Sequence, residues 1–322
     1  MQIAMRLRAR RWCCVIPLLL CAAGPVAAQP PMASDTALFW ALSRDGQPAG
    51  FLLGTIHSED PRVLDFSEVF IDQLKANGIF AMEMVPDLPT LKRLTEYMHY
   101  QDGTLLEQRI GVERFSRVRA ALVDYSVPAD WVAKMKIWAA MMTLSVPPPR
   151  TGLFMDFSLS LRAAGAGLRV VGLETLEQQL SFLEKMPQEQ QLALLDQALE
   201  EHGRVTEVHD LMVESYLAGD LQALSRQVDE QLGDLAPEAR RYFMAEGIAA
   251  RNERMLTALL PLLAEGQVFT AVGALHLSGE SGLIAGLRGQ GYGLVALPLP
   301  FSAAQGRGEP AQEGHHETAD AP

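Results

Sequence analysis

The chain has 322 residues, 48% of them hydrophobic and 20% charged, which is enough apolar material for a large core and too much for wholesale disorder. Its 27 lysines and arginines stand against 39 aspartates and glutamates, a net charge of −12. Four of the basic residues (Arg6, Arg8, Arg10, Arg11) lie in an N-terminal stretch without acids, so the chain beyond it carries −16. A chain that acidic is a poor partner for nucleic acid or an anionic lipid surface.

Residues 1–28 read as a secretory signal peptide. A basic stretch ends at Arg11, an apolar run follows from Trp12 to Ala23, and small residues close the segment at Val26-Ala27-Ala28. The apolar run is short for a membrane span and contains Pro17. Cleavage there places the mature chain across the inner membrane, in the periplasm of a Gram-negative source, with no stable membrane insertion. All three cysteines (Cys13, Cys14, Cys21) fall in this segment, so disulfides, thiol nucleophiles and cysteine-held metals are excluded from the mature chain.

Residues 29–37 read as a polar linker. Leu38–Ser43 and Gly50–His57 read as strands around an Asp45-Gly46 turn, hence a hairpin. A helix over Ser67–Ala76 precedes a buried strand over Gly78–Met84, closed by Pro86. Helices follow over Leu88–Tyr100, Glu113–Tyr125 and Ala129–Leu144, and Pro147-Pro148-Pro149 makes a stiff break. The second half opens with a helix over Gly152–Ala164, a strand over Leu168–Leu173 and a helix over Thr175–Lys185. Several helices fill Pro187–Glu265, one of them over Glu238–Leu260. Strands over Val268–Ala274 and Tyr292–Leu297 flank a helix over Gly279–Gly289, and residues 301–322 read as a disordered tail. The alternation predicts an α/β domain over 38–300, a mixed or mostly parallel sheet core with helical insertions.

Two segments repeat one pattern. Gly54-Thr55-Ile56-His57 and Gly273-Ala274-Leu275-His276 each follow an apolar strand, so each histidine projects at a strand's exit. Two carboxylates occupy comparable places. Glu83 lies in the otherwise apolar Ile79–Val85, where a carboxylate demands a cation, a metal or an unusual pKa. Glu174 directly follows a strand and precedes a helix, where an acid also simply complements the helix dipole. Ligands of open α/β sheets bind beyond the carboxyl ends of the strands. If the four strands are parallel neighbours, His57, Glu83, Glu174 and His276 converge on one crevice. Two imidazoles with carboxylates suit a divalent metal with open positions, and the same groups suit metal-free His/Glu acid–base hydrolysis; spacing leaves both open. Arg251 and Asn252 lie on or beside the apolar stripe Met244, Ile248, Met255, Leu259. Arg251 reads either as an edge residue with its head in water or as a cation supporting Glu83 or Glu174 or a developing oxyanion. His99, His202 and His209 read as surface residues, and the methionines as core packing.

These blocks together resemble the TraB/GumN family, relatives of the Tiki peptidases. The likeness rests on Phe51–His57, Ala81–Met84, Gly152–Leu180 with Asp156 and Val171–Thr175, the Arg251-Asn252 pair and Phe269–Leu297, in the family's order. It implies a fold distantly similar to erythromycin esterase-like and ChaN-like proteins. It also implies a metal-dependent peptidase using manganese, cobalt or zinc, with His57, His276 and Glu83 as ligands and Glu83, Glu174, Arg251 and Asn252 as catalytic residues. The substrate is expected to be a peptide or small molecule. A metal-free hydrolase of the erythromycin esterase type and a non-enzymatic peptide- or glycan-binding accessory protein are the alternatives.

Overall fold

The computed structural model describes residues 36–233 and 235–301. The expected signal peptide, most of the expected linker and all but the first residue of the expected tail lie outside the described residues.

Six strands form one mixed sheet: β1 (Phe39–Arg44), β2 (Gln47–Thr55), β3 (Ile79–Met82), β4 (Arg169–Gly172), β5 (Val268–Gly273) and β6 (Gly293–Leu297). Their spatial order is β4-β3-β5-β2-β1-β6. β4, β3, β5 and β2 run parallel to one another, while β1 is antiparallel to both β2 and β6. The β1–β2 hairpin turns at Asp45 and Gly46, with φ of 51° and 75°; two successive positive φ values match the right-handed twist of the strands. Where β2 meets β5, Gly50 takes φ 133° opposite Val268, and a side chain there would land on the Val268 carbonyl oxygen.

The inner parallel strands β3 and β5 are buried almost throughout, as parallel strands covered on both faces are. Every residue of β3 is buried, as are the first five of β5. Phe269 is fully buried, stacks or tilts against Phe39, Phe51 and Phe80 and meets Phe70 edge-on, at 5.4–6.1 Å between ring centroids. The main core is completed by Met155, Leu159 and Ala163 of the helix Met155–Gly165 and by Met255, Leu259, Leu262 and Leu263 of the helix Ala250–Glu265. A separate core unites Leu106–Leu144 with Leu183, Met186 and Leu195. The helical insertion of the first half thus packs on helices from the second half.

Four expectations change in detail. β3 stops at Met82, so Glu83 follows the strand rather than sitting inside it. The expected helix over Ala129–Leu144 is two helices, Ala129–Lys134 and Ile137–Leu144; Met135 leaves helical geometry to bridge His99, with Tyr100 N–H on the Lys134 carbonyl and Lys136 N–H on the Met98 carbonyl, each at 2.8 Å. The helix expected from Gly152 begins at Met155. The helix expected over Glu238–Leu260 is interrupted by a wide π-helical turn at Phe243–Ala249. That turn rotates the apolar stripe out of phase: Met255 and Leu259 are fully buried, while Met244 is 41% exposed. Among the described residues, no helix is long and apolar enough to cross a membrane.

Gly50→Ala is expected to lower stability by roughly 3 kcal/mol or more, because it adds both backbone strain and a clash with a neighbouring strand. Urea unfolding of the variant beside the parent chain measures this.

Candidate functional site

The four parallel strands end on the same edge of the sheet, and each delivers one sequence-predicted residue there. Glu174 lies two residues past β4, Glu83 immediately past β3, His276 three past β5 and His57 two past β2. The β3–β4 pairing continues beyond the strands: Leu173 N–H donates to the Met82 carbonyl and Glu174 N–H to the Glu83 carbonyl, both at 2.8 Å. The two carboxylates are therefore held on adjacent chain segments.

Arg251 lies between them. Its Nη2 is 2.6 Å from Glu83 Oε2 and 2.7 Å from Glu174 Oε2, and its Nε donates to Glu174 Oε2 at 2.8 Å. The arginine head is not wet: its side chain is 9% exposed, and that of Glu174 has no exposure. Arg254, one helical turn further on, meets Glu174 Oε1 at 3.4 Å. Glu174 thus faces two guanidinium groups, and Glu83 keeps contacts of its own. Its Oε1 accepts the Gly273 N–H at 2.8 Å, and its Oε2 also accepts from Gln179 Nε2 at 3.0 Å. Burial pushes the Glu83 carboxyl up, but the pull of the His276 ring once acid protonates it, of Arg251 and of the Gly273 N–H more than offsets this, so its pKa is lowered.

Both glycines of the repeated motif are there for close approach. A Cβ on Gly273 would come within 3.1 Å of Glu83 Oε1, and one on Gly54 within 2.6 Å of Leu277 Cδ1.

His276 is buried, and burial drives its pKa down to about 4, against the attraction of Glu83. It is neutral at neutral pH. Its Nδ1 is 2.6 Å from Asn252 Oδ1, while Asn252 Nδ2 donates to the Ser281 carbonyl at 2.9 Å. The amide's donor is thereby committed, so its oxygen accepts and the imidazole proton sits on Nδ1. The free Nε2 lone pair faces Glu83 Oε1 at 3.8 Å. A neutral imidazole and an ionised carboxylate opposed in this way suit a divalent ion in donor chemistry. Among the described residues, no three of the histidine, aspartate and glutamate side chains come together as a metal group, so the pair provides two protein donors without a third.

His57 enters a different set of contacts. Its ring lies on Phe154, 3.8 Å between centroids and 15° from parallel, and its side chain is 60% exposed, with Nδ1 3.9 Å from Asp156 Oδ2. It lines a cleft of about 380 Å³ with Pro147–Pro149, Phe154, His209 and Asp210. His209 is half-buried and places Nε2 3.3 Å from the His57 carbonyl. The structure therefore brings Glu83, Glu174, Arg251, Asn252 and His276 into one contact network, with His57 at the end of the neighbouring strand in its own.

Gln179 and Arg254 were not singled out in the sequence. Arg254 had a usable signal, its three-residue spacing from Arg251. Gln179 had none to separate it from Gln178, which instead caps the helix Leu176–Lys185 through Thr175.

Two outcomes follow from this electrostatics. Arg251→Met leaves two buried carboxylates without their shared cation and is expected to cost about 3–5 kcal/mol in unfolding experiments. Between about pH 6.5 and pH 4 the unfolded chain binds a proton at His276 that the folded chain resists. That contribution is complete above pH 6.5 and is lost as pH falls toward 4. His276→Gln removes this part of the pH slope in a urea-unfolding series.

The chain is similar to Metalloprotease TIKI2 of Xenopus tropicalis, 24% identical over 85% of this chain and 62% of the relative. It is 25% identical to Metalloprotease TIKI1 of Xenopus tropicalis over 80% of this chain and 61% of the relative. It is 22% identical to Metalloprotease TIKI1 of Homo sapiens over 84% and 64%. It thus spans about three fifths of the length of these relatives. No solved structure matches it significantly. The model of the TraB/PrgY/gumN family matches residues 38–295, which contain all four parallel strands whose ends carry the site residues, and the chain belongs to that family.

Proposed function

We propose that the chain is an exported hydrolase, a metal-dependent peptidase acting at the shared C-terminal edge of β4, β3, β5 and β2. The observation that carries this reading is the buried pair formed by the His276 Nε2 lone pair and Glu83 Oε1, opposed at 3.8 Å. That the relatives are metalloproteases by name supports peptidase chemistry, and the basic, apolar and small-residue order of residues 1–28 supports export.

His276 and Glu83 would hold the ion; His57, which the family resemblance assigns as a further ligand, stands at the neighbouring strand end in contacts of its own. With a divalent ion bound, these two residues would hold it where it would supply Lewis-acid polarisation of a scissile carbonyl. The protein groups do the rest. Asn252 fixes the His276 tautomer and so keeps Nε2 free of a proton. Arg251 and the Gly273 N–H hold Glu83 ionised. That low pKa suits an anionic ligand better than a proton acceptor, which ordinarily works near the operating pH. Glu174 has no exposed side-chain surface and acts through Arg251, which it holds in place beside Glu83. The cleft beside His57 has the scale of a small-ligand or peptide side-chain site.

The test is elemental analysis of the purified mature protein together with a peptide-library cleavage assay, before and after chelator dialysis. The expected result is a bound divalent metal, cleavage lost on chelation and restored by the ion. Glu83→Gln and His276→Ala should each lower turnover by about a hundredfold or more with folding intact. Cleavage that survives chelation in metal-free protein assigns the site to metal-independent His/Glu hydrolysis, and peptide binding without cleavage assigns the chain to an accessory role.

A further inference from the structure

His57 has supports of its own. Asp156 accepts the Thr55 hydroxyl at 2.5 Å through Oδ1, leaving Oδ2 3.9 Å from His57 Nδ1. The segment carrying Phe154 and Asp156 is tied to the exit of β2 at further points. Met155 N–H donates to the Ser58 carbonyl at 3.1 Å. The Glu59 carboxylate accepts the N–H groups of Arg150, Thr151 and Gly152 at 2.9, 2.9 and 2.6 Å. Asp156 is therefore a carboxylate anchored at one oxygen beside a ring already clamped flat on Phe154.

The same layout occurs at the other Gly-x-x-His. There, too, an oxygen stands at Nδ1, Asn252 Oδ1 at 2.6 Å, and its side chain is anchored from behind, on the Ser281 carbonyl. The repeated motif is thus completed by a repeated partner that no short-range pattern links to it: Asp156 is 99 positions from His57, and Asn252 is 24 from His276.

We propose that Asp156 is the positioning residue of His57: anchored by Thr55, it keeps the imidazole proton on Nδ1 and presents Nε2 as the working nitrogen. This rests on the reading of His57 as part of the hydrolytic site and deepens it. A carboxylate beside Nδ1 favours the proton there, leaving the lone pair on Nε2, the same choice that Asn252 imposes on His276. The 3.9 Å separation exceeds a direct hydrogen bond, and a small slide of the ring across Phe154 would close it. Asp156 touches no reacting atom in this role; it acts through His57.

The experiment reads the tautomer itself. The mature protein is labelled with isotopic nitrogen at histidine, and long-range proton–nitrogen spectra are recorded with chelator present, at a pH about 2 units above the ordinary histidine pKa of about 6.5. A His57→Gln sample identifies the His57 signals. In the parent chain His57 is expected to carry its proton on Nδ1. Asp156→Ala is expected to move the major form to the Nε2–H tautomer, and Asp156→Asn, with its Nδ2 donating to the Thr55 hydroxyl and its oxygen turned to His57, to restore the parent pattern. His276, held by Asn252, should stay unchanged in both variants. Circular dichroism and thermal melting establish that the variants are folded.

A parent His57 protonated mainly on Nε2 overturns the proposal. So does an Asp156→Ala spectrum matching the parent in a folded protein. Should Asp156→Ala not fold, Asp156→Asn and Thr55→Val decide: an unchanged His57 tautomer after loss of the Thr55 anchor refutes the anchoring arm, and a lost Nδ1–H form in folded Asp156→Asn refutes the acceptor arm. The tautomer is measured without turnover, so a parent pattern as expected with no peptide cleavage sinks the hydrolase reading and leaves the positioning role standing.

Discussion

One cation shared by two carboxylates holds the candidate site together. β3 and β4 are parallel neighbours whose pairing runs on past their ends, which places Glu83 and Glu174 side by side away from bulk water. Alone, two such acids would repel, and one would take up a proton. Arg251 prevents this because a guanidinium is planar and offers several donors: one nitrogen reaches both carboxylates while another secures Glu174. Arg254 takes the remaining Glu174 oxygen. Burying so many charges costs desolvation, so the network is weak grounds for expecting high stability. Its consequence is geometric: Glu83 is fixed as an ionised group with Oε1 directed at the Gly273 N–H and toward His276.

The neutrality of His276 follows from the same arrangement. Its imidazole is buried near the positive Arg251 as well as the negative Glu83, and burial prevails. A charged imidazole there would close a direct ion pair with Glu83; a neutral one leaves a lone pair opposite a carboxylate. That second state is the one able to share a cation, and Asn252 secures it by fixing the proton on the far nitrogen. The ring of partners thus extends from Glu174 through Arg251, Glu83 and His276 to Asn252, and Arg251 and Asn252 are consecutive residues of one helix.

Much of this was legible in the sequence, for identifiable reasons. The paired Gly-x-x-His segments and the acid beside an apolar strand are local patterns, and a parallel sheet turns such strand ends into neighbours. The boundaries were less legible. Glu83 lies past its strand because the pairing with β5 ends at Met82, a fact about a strand almost two hundred positions away. The π-helical turn at Phe243–Ala249 escaped because helical spacing assumes a constant period. Gly247 sits in that turn, where a Cβ would come within 3.0 Å of the Phe182 ring, so the irregularity is tied to packing across the fold. Gln179 was invisible for a similar reason: its neighbour Gln178 is equally polar, and only the helix start at Thr175 decides which of the two faces Glu83.

The two histidines share a motif and an edge of the sheet, yet they sit at different depths. His276 is 5% exposed at its side chain and meets only fixed groups; His57 is 60% exposed and lines an open cleft. Strand order explains the difference. β5 is flanked by β3 and β2, so what leaves its end is roofed by the neighbours' loops and by the helix carrying Arg251 and Asn252. β2 is flanked by β5 and by antiparallel β1, which begins rather than ends near that edge, so the end of β2 is covered from one side. An identical tetrapeptide pattern placed on the inner and outer members of a parallel set therefore yields one sequestered imidazole and one accessible to ligand.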